Sequence, residues 1–143
     1  MLVGSAMNVR VVSVRPDETV QVAIARMMEE GIGAVVVCEG PRIVGIFTER
    51  DVLRLAAEGP DFGSALLEDV MTRSPVTVDP DVHIVDAARL MGERGIRHLP
   101  VVEGENLHGV VGIRDVLRSL VESAWRDHDG DARETAQALL GRR

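Results

Sequence analysis

The sequence predicts an α+β fold of two tandem β-α-β-β-α repeats related by an approximate twofold axis. Three observations predict it. The chain matches itself without a gap at an offset of 64 residues. Each half alternates short β-branched runs with apolar stripes at helical spacing. No apolar run reaches the length of a membrane helix.

The self-match is dense. Pro16 and Asp17 recur as Pro80 and Asp81, Ala23 as Ala87, and Met27 as Met91. Gly31-Ile32 recurs as Gly95-Ile96, and Gly40 and Gly45 as Gly104 and Gly109. The run Arg50 to Arg54 returns unchanged as Arg114 to Arg118. Leu2 and Met7 fall opposite Leu66 and Met71. A unit this short buries only a modest part of its surface, so two copies are expected to pack together and set equivalent residues across a cleft. The expected division is 1–60, 61–124 and a tail over 125–143 with a short helical pattern.

In the first copy, Val12 to Val14 form a short strand ended by Pro16. Thr19 suits a helix N-cap, and Val20, Ala23, Ile24, Met27 and Met28 follow as one stripe to residue 30. Gly31 is placed to stop that helix. AVVVC and IVGIF read as two strands joined by the turn EGPR, and Thr48 opens a helix to about Ala57. Residues 57 to 64, AEGPDFGS, read as a linker. The second copy repeats this as VTV, a helix near His83 to Arg94, HLPVV, LHGVV and a helix from Ile113 to about Ser123. Pro100 inside a strand argues for an edge or a bulge. Short helices are expected at Leu2 to Met7 and Leu66 to Met71.

Composition narrows the function classes. With 45% hydrophobic but only 2% aromatic residues, the core must be aliphatic. The net charge of −7 disfavours nucleic acid as a partner, as does the lack of aromatics for stacking. Neither a signal peptide nor a membrane span is evident, and the lone Cys38 fits a reducing cytosol, so a cytoplasmic location is expected. Cys38 sits in AVVVC without a flanking base and reads as inert core. His83, His108 and His128 show no metal-ligand spacing. The run Asp127 to Asp131 resembles a calcium loop but has Ala132 where glycine is needed and Ala138 where glutamate is needed.

Each second strand ends in a glycine-initiated motif: Gly45-Ile-Phe-Thr48-Glu-Arg-Asp51 and Gly109-Val-Val-Gly112-Ile-Arg-Asp115. Thr48 and Asp51 have the spacing of a capping box. The same geometry suits a nucleotide: a helix N-terminus and a hydroxyl favour phosphate, and a carboxylate can accept from both ribose hydroxyls.

The repeat, its spacing, the Gly-apolar-apolar-Thr-x-x-Asp ending, and the runs IGAVVV and IRHLPVV resemble the CBS domain family over residues from about 2 to 123. That resemblance implies a tandem pair, or Bateman module, with AMP, ADP, ATP or S-adenosylmethionine bound in clefts between the copies. It implies that Asp51 holds ribose and Thr48 contacts phosphate, with Ser13 and the Ala34, Val35 and Val36 backbone framing adenine. In the second copy it implies Asp115, with Thr77 and the His98 to Pro100 backbone, but Gly112 stands where the hydroxyl belongs. Arg97 and His98 replace Gly33 and Ala34 of the first copy, which suggests a polyphosphate reaching toward Arg97. Arg50 and Arg114 either add to that charge or pair with nearby acids.

The expected protein is therefore a non-catalytic, homodimeric regulatory module that binds an adenine nucleotide and signals to an unidentified regulated protein. No nucleophile, Walker or Rossmann signature is present in the sequence. The same residues leave open a structural dimerisation module with empty clefts, or a binder of S-adenosylmethionine or NADH.

Overall fold

A computed structural model describes residues 1–127, 134 and 137–141. In chain order the elements are α1 (Val3–Ala6), β1 (Ser13–Val14), α2 (Val20–Glu30), β2 (Ala34–Glu39), β3 (Arg42–Thr48), α3 (Glu49–Glu58), α4 (Leu67–Val70), β4 (Thr72–Arg73), α5 (Ile84–Arg94), β5 (His98–Glu103), β6 (Asn106–Gly112) and α6 (Ile113–Asp127). The chain forms two compact units. One comprises Arg10–Val76 with Glu105–Leu107; the other comprises Met1–Val9, Thr77–Gly104 and the chain from His108.

In the Arg10–Val76 unit, Thr19 caps α2 by accepting from the Val22 N–H at 3.3 Å. Val20, Ala23 and Met27 supply its buried face. Gly31 ends the helix at φ 63°, a left-handed conformation that glycine adopts without steric cost, and its N–H donates to the Met27 carbonyl. β2 and β3 pair antiparallel, β1 joins β2 in parallel, and β4 joins the far side of β3, giving the order β1-β2-β3-β4. Val14, Val35, Val37, Phe47, Leu55 and Leu67 close the core with α2.

The other unit repeats this plan with less regular edges. β5 and β6 pair, Val78 bridges Val101 in parallel, and Asn8 bridges Val110 in antiparallel. Ala87, Ala88 and Met91 of α5, together with Leu99, Val101, Val111, Val116 and Leu120, are buried.

The compact units do not follow the halves 1–60 and 61–124. Each sequence repeat sends its lead-in segment to the unit built on the other repeat. Leu67 N–H donates to the Glu18 carbonyl and Glu68 N–H to Pro16, while Val3 N–H donates to Val82 and Gly4 N–H to Pro80. These four bonds are two pairs at the same 64-residue offset. The Thr72–Ile46 and Asn8–Val110 pairings are a third. The stretch read as a linker is also tied down: Gln21 N–H donates to the Phe62 carbonyl, and Phe62 and Ala65 pack on the core of the first unit.

Pro100 has the edge position that the proline implied, since the β5-β6 sheet has two strands and only an isolated bridge beyond β5. It lies in β5 between β6 and the Val78 bridge, and its carbonyl accepts from Val78 N–H at 3.0 Å. Its equivalent Val36 donates to Val12 at 3.1 Å, a bond a proline cannot make. That missing donor accounts for the shrinkage of a β1-like strand to the single Val78 bridge. α6 runs past the expected Ser123 to Asp127. The calcium-loop-like run beyond Asp127 and most of the tail lie outside the described residues.

Candidate functional site

The sheet of the Arg10–Val76 unit gathers the first-copy residues. β2 and β3 set Ala34 opposite Thr48 and Val36 opposite Ile46, and β1 sets Ser13 beside Val36. Ser13 is exposed, Ala34 and Thr48 are half-buried, and Val35 and Val36 are buried. The Val36 N–H is already taken by Val12, so this part of the backbone is committed to the sheet.

α3 begins where β3 ends, and Glu49 N–H donates to the Gly33 carbonyl at 3.0 Å, fixing the start of the helix against the start of β2. Thr48 and Asp51 close a capping box. The Thr48 N–H donates to Asp51 Oδ2 at 2.9 Å, and the Thr48 hydroxyl donates to the same oxygen at 3.2 Å. Asp51 is only 14% exposed, so this carboxylate is held nearly out of solvent. Its other oxygen, Oδ1, lies 3.5 Å from Arg54 Nη2. Arg50 is exposed on the first turn of α3 and has interactions of its own.

The second-copy residues lie in the other unit. Gly112 N–H donates to Asp115 Oδ2 at 2.9 Å, matching the backbone half of the first motif without its hydroxyl. Ile113 N–H donates to the Arg97 carbonyl at 2.8 Å, as Glu49 does to Gly33. Arg97 and Arg114 are exposed, His98 and Thr77 are half-buried, and Asp115 is half-buried beside Arg118 at 3.8 Å. His98 has contacts of its own. Thr48 and Arg97 belong to different compact units.

Sequence reasoning missed Arg54 and Arg118 as neighbours of the motif acids. The signal was present: both sit three residues after the acid inside the unchanged run RDVLR, a spacing that puts them on one helix face. A pocket of about 460 Å³ opens elsewhere on the same unit, lined by Arg15, Cys38, Gly40 and Glu68 among others, at the end of β2 remote from Ala34. Cys38 is half-buried rather than core, beside a register shift in β2, and burial pushes its thiol pKa up. Among the described residues, no cluster of His, Cys, Asp or Glu could hold a metal ion, and no helix is long and apolar enough to cross a membrane.

The CBS domain family model matches residues 3–58 and 67–122, the two repeats found by self-alignment. The chain belongs to the CBS domain family. It carries two tandem CBS repeats. A CBS-domain protein from Burkholderia ambifaria MC40-6 matches this fold with a TM-score of 0.82 at 31% identity, over 85% of this chain and 95% of that one. CBSX2, solved in complex with AMP, matches with a TM-score of 0.73 at 27% identity, over 85% of this chain and 96% of that one. Arabinose 5-phosphate isomerase KdsD of Yersinia pestis is 39% identical over 108 residues, 75% of this chain. The CBS pair spans only 33% of that enzyme's length, so the similarity covers an accessory part of it.

Proposed function

We propose that this CBS pair is a non-catalytic regulatory module that takes one adenine nucleotide, AMP, ADP or ATP, at Thr48 and Asp51. The observation that carries the reading is the capped start of α3, where a nearly buried carboxylate and a hydroxyl share one helix N-terminus. The positive end of the α3 dipole there favours a phosphate. A hydroxyl has one proton to give. When a phosphate oxygen takes the Thr48 proton, Asp51 Oδ2 loses that donor and gains room for a ribose hydroxyl, so the two contacts exchange rather than compete. Ser13 and the Ala34 edge of β2 would border the base. The AMP complex of the related CBSX2 supports an adenosine ligand in this family.

The second copy keeps Asp115 but has no hydroxyl at Gly112, so one nucleotide per chain is expected. A regulated partner in the cytosol would respond only if the nucleotide favours one conformation over another. Met28 and Leu53, 78% and 73% exposed, supply apolar surface suited to a homodimer.

Titration calorimetry of the wild type and Asp51→Ala with AMP, ADP and ATP tests the reading, because equal affinities in both proteins would remove Asp51 from the site. A thermal-shift panel that adds NADH and S-adenosylmethionine ranks the ligand classes, since bound ligand raises stability by mass action. A panel with no shift at all would favour a purely structural dimerisation module.

A further inference from the structure

We infer that Arg54 is a positioning residue that holds the Asp51 carboxylate in the orientation a ribose diol requires. The inference rests on the reading of Asp51 as the ribose acceptor. Asp51 Oδ2 is fixed by the Thr48 N–H and hydroxyl, at 2.9 and 3.2 Å. Those two bonds anchor one oxygen, but a carboxylate can still turn about its last torsion, which is broad. The second oxygen decides the plane. Arg54 Nη2 lies 3.5 Å from it and also donates to the Val70 carbonyl at 3.1 Å, at the end of α4. Arg54 Nη1 lies 3.6 Å from Glu58 Oε1 on the next turn of α3.

The guanidinium is a planar fork of donors, and one hydrogen bond to Val70 with two ion-pair contacts along α3 hold it beside Asp51 Oδ1. Its attraction for Asp51 is that of a half-exposed surface pair and contributes little to stability. The consequence lies in recognition: with the plane held, both oxygens stay available to two vicinal hydroxyls at once. The second copy lacks this brace. Arg118 is 68% exposed, lies 3.8 Å from Asp115 Oδ1, and among the described residues has no carbonyl partner comparable to Val70.

The test compares AMP with 2′,3′-dideoxyadenosine monophosphate by calorimetry on the wild type, Asp51→Ala, Arg54→Met and Arg54→Lys, each checked for folding by circular dichroism. The wild type should prefer AMP. Arg54→Met should weaken AMP by about tenfold, the size of one charge-assisted hydrogen bond, while leaving the dideoxy ligand within about twofold. Arg54→Lys, which keeps a cation beside Oδ1, should recover part of the preference. A merely structural arginine would weaken both ligands equally, and an unchanged AMP preference in Arg54→Met would overturn the inference. A wild type indifferent to the ribose hydroxyls, or an Asp51→Ala protein with full AMP affinity, would instead overturn the ribose reading and take the inference with it.

Discussion

Gly45 lies against Met71 so closely that a methyl group on the glycine would meet the Met71 Sδ and come within 2.9 Å of Met71 Cγ. The glycine that opens the first motif is therefore a packing requirement, set by a residue from the lead-in of the other repeat. Gly109 stands in the same relation to Met7, with the Asn8 carbonyl 2.6 Å from the position of a Cβ. Gly45→Ala should cost about 1–3 kcal/mol through overpacking. Gly109→Ala should cost more, because its nearest neighbour is backbone and cannot swing aside. Urea unfolding measures both. A Met71→Ala change should relieve part of the first penalty, and no relief would mean that the methionine is not what excludes the side chain.

Leu67 is fully buried in the unit built on the first repeat, although its sequence belongs to the second. Leu67→Ala should destabilise the chain by about 2–5 kcal/mol, the usual range for a buried leucine. Local opening follows the packed unit rather than sequence proximity. Amide exchange should therefore rise first at Val35 to Val37 and later at Leu99 and Val101. The reverse order would contradict the exchange of lead-in segments.

Thr48 and Gly112 occupy equivalent caps with different chemistry. Thr48→Ala should cost about 0.5–2 kcal/mol through loss of the cap. Gly112→Thr is open to a side chain: a Cβ there would sit 3.4 Å from Asp115 Oδ2 and 3.6 Å from His98 Cδ2, ordinary contacts, and the glycine has no positive φ. That variant should gain stability of about 0.4–1 kcal/mol by reducing the freedom of the unfolded chain. It should also raise the AMP stoichiometry from one to two per chain. Calorimetry that still returned one site would show that more than a hydroxyl separates the copies.

Cys38 carries a raised thiol pKa because burial disfavours the thiolate. Its alkylation by iodoacetamide near pH 8 should be slower than that of free cysteine, and should accelerate in denaturant. The sign for stability follows. Between the unfolded and folded pKa values the folded thiol keeps a proton that the unfolded one has lost. The contribution of this group is thus present below the unfolded pKa and declines as pH rises through the folded one. Equal alkylation rates in native and unfolded protein would remove the effect.

Much of the local structure was legible because its causes are local. Thr19, Gly31 and the stripe of Val20, Ala23 and Met27 define α2 by themselves. β4 was not legible, since Thr72 and Arg73 are strand only by pairing with Ile46 and Gly45. Pro100 pointed to an edge strand, but the sequence shows only the missing N–H and not which neighbour goes without it.

From its sequence alone this chain was marked as two CBS repeats, with their caps, strands and motif acids, because a 64-residue period and helical or alternating patterns are written in consecutive residues. Which repeat each lead-in segment completes, why side chains at Gly45 and Gly109 would collide, and that Arg54 also reaches the Val70 carbonyl were decided only by tertiary structure. Those facts are distances between residues far apart along the chain, and the folded backbone alone fixes such distances.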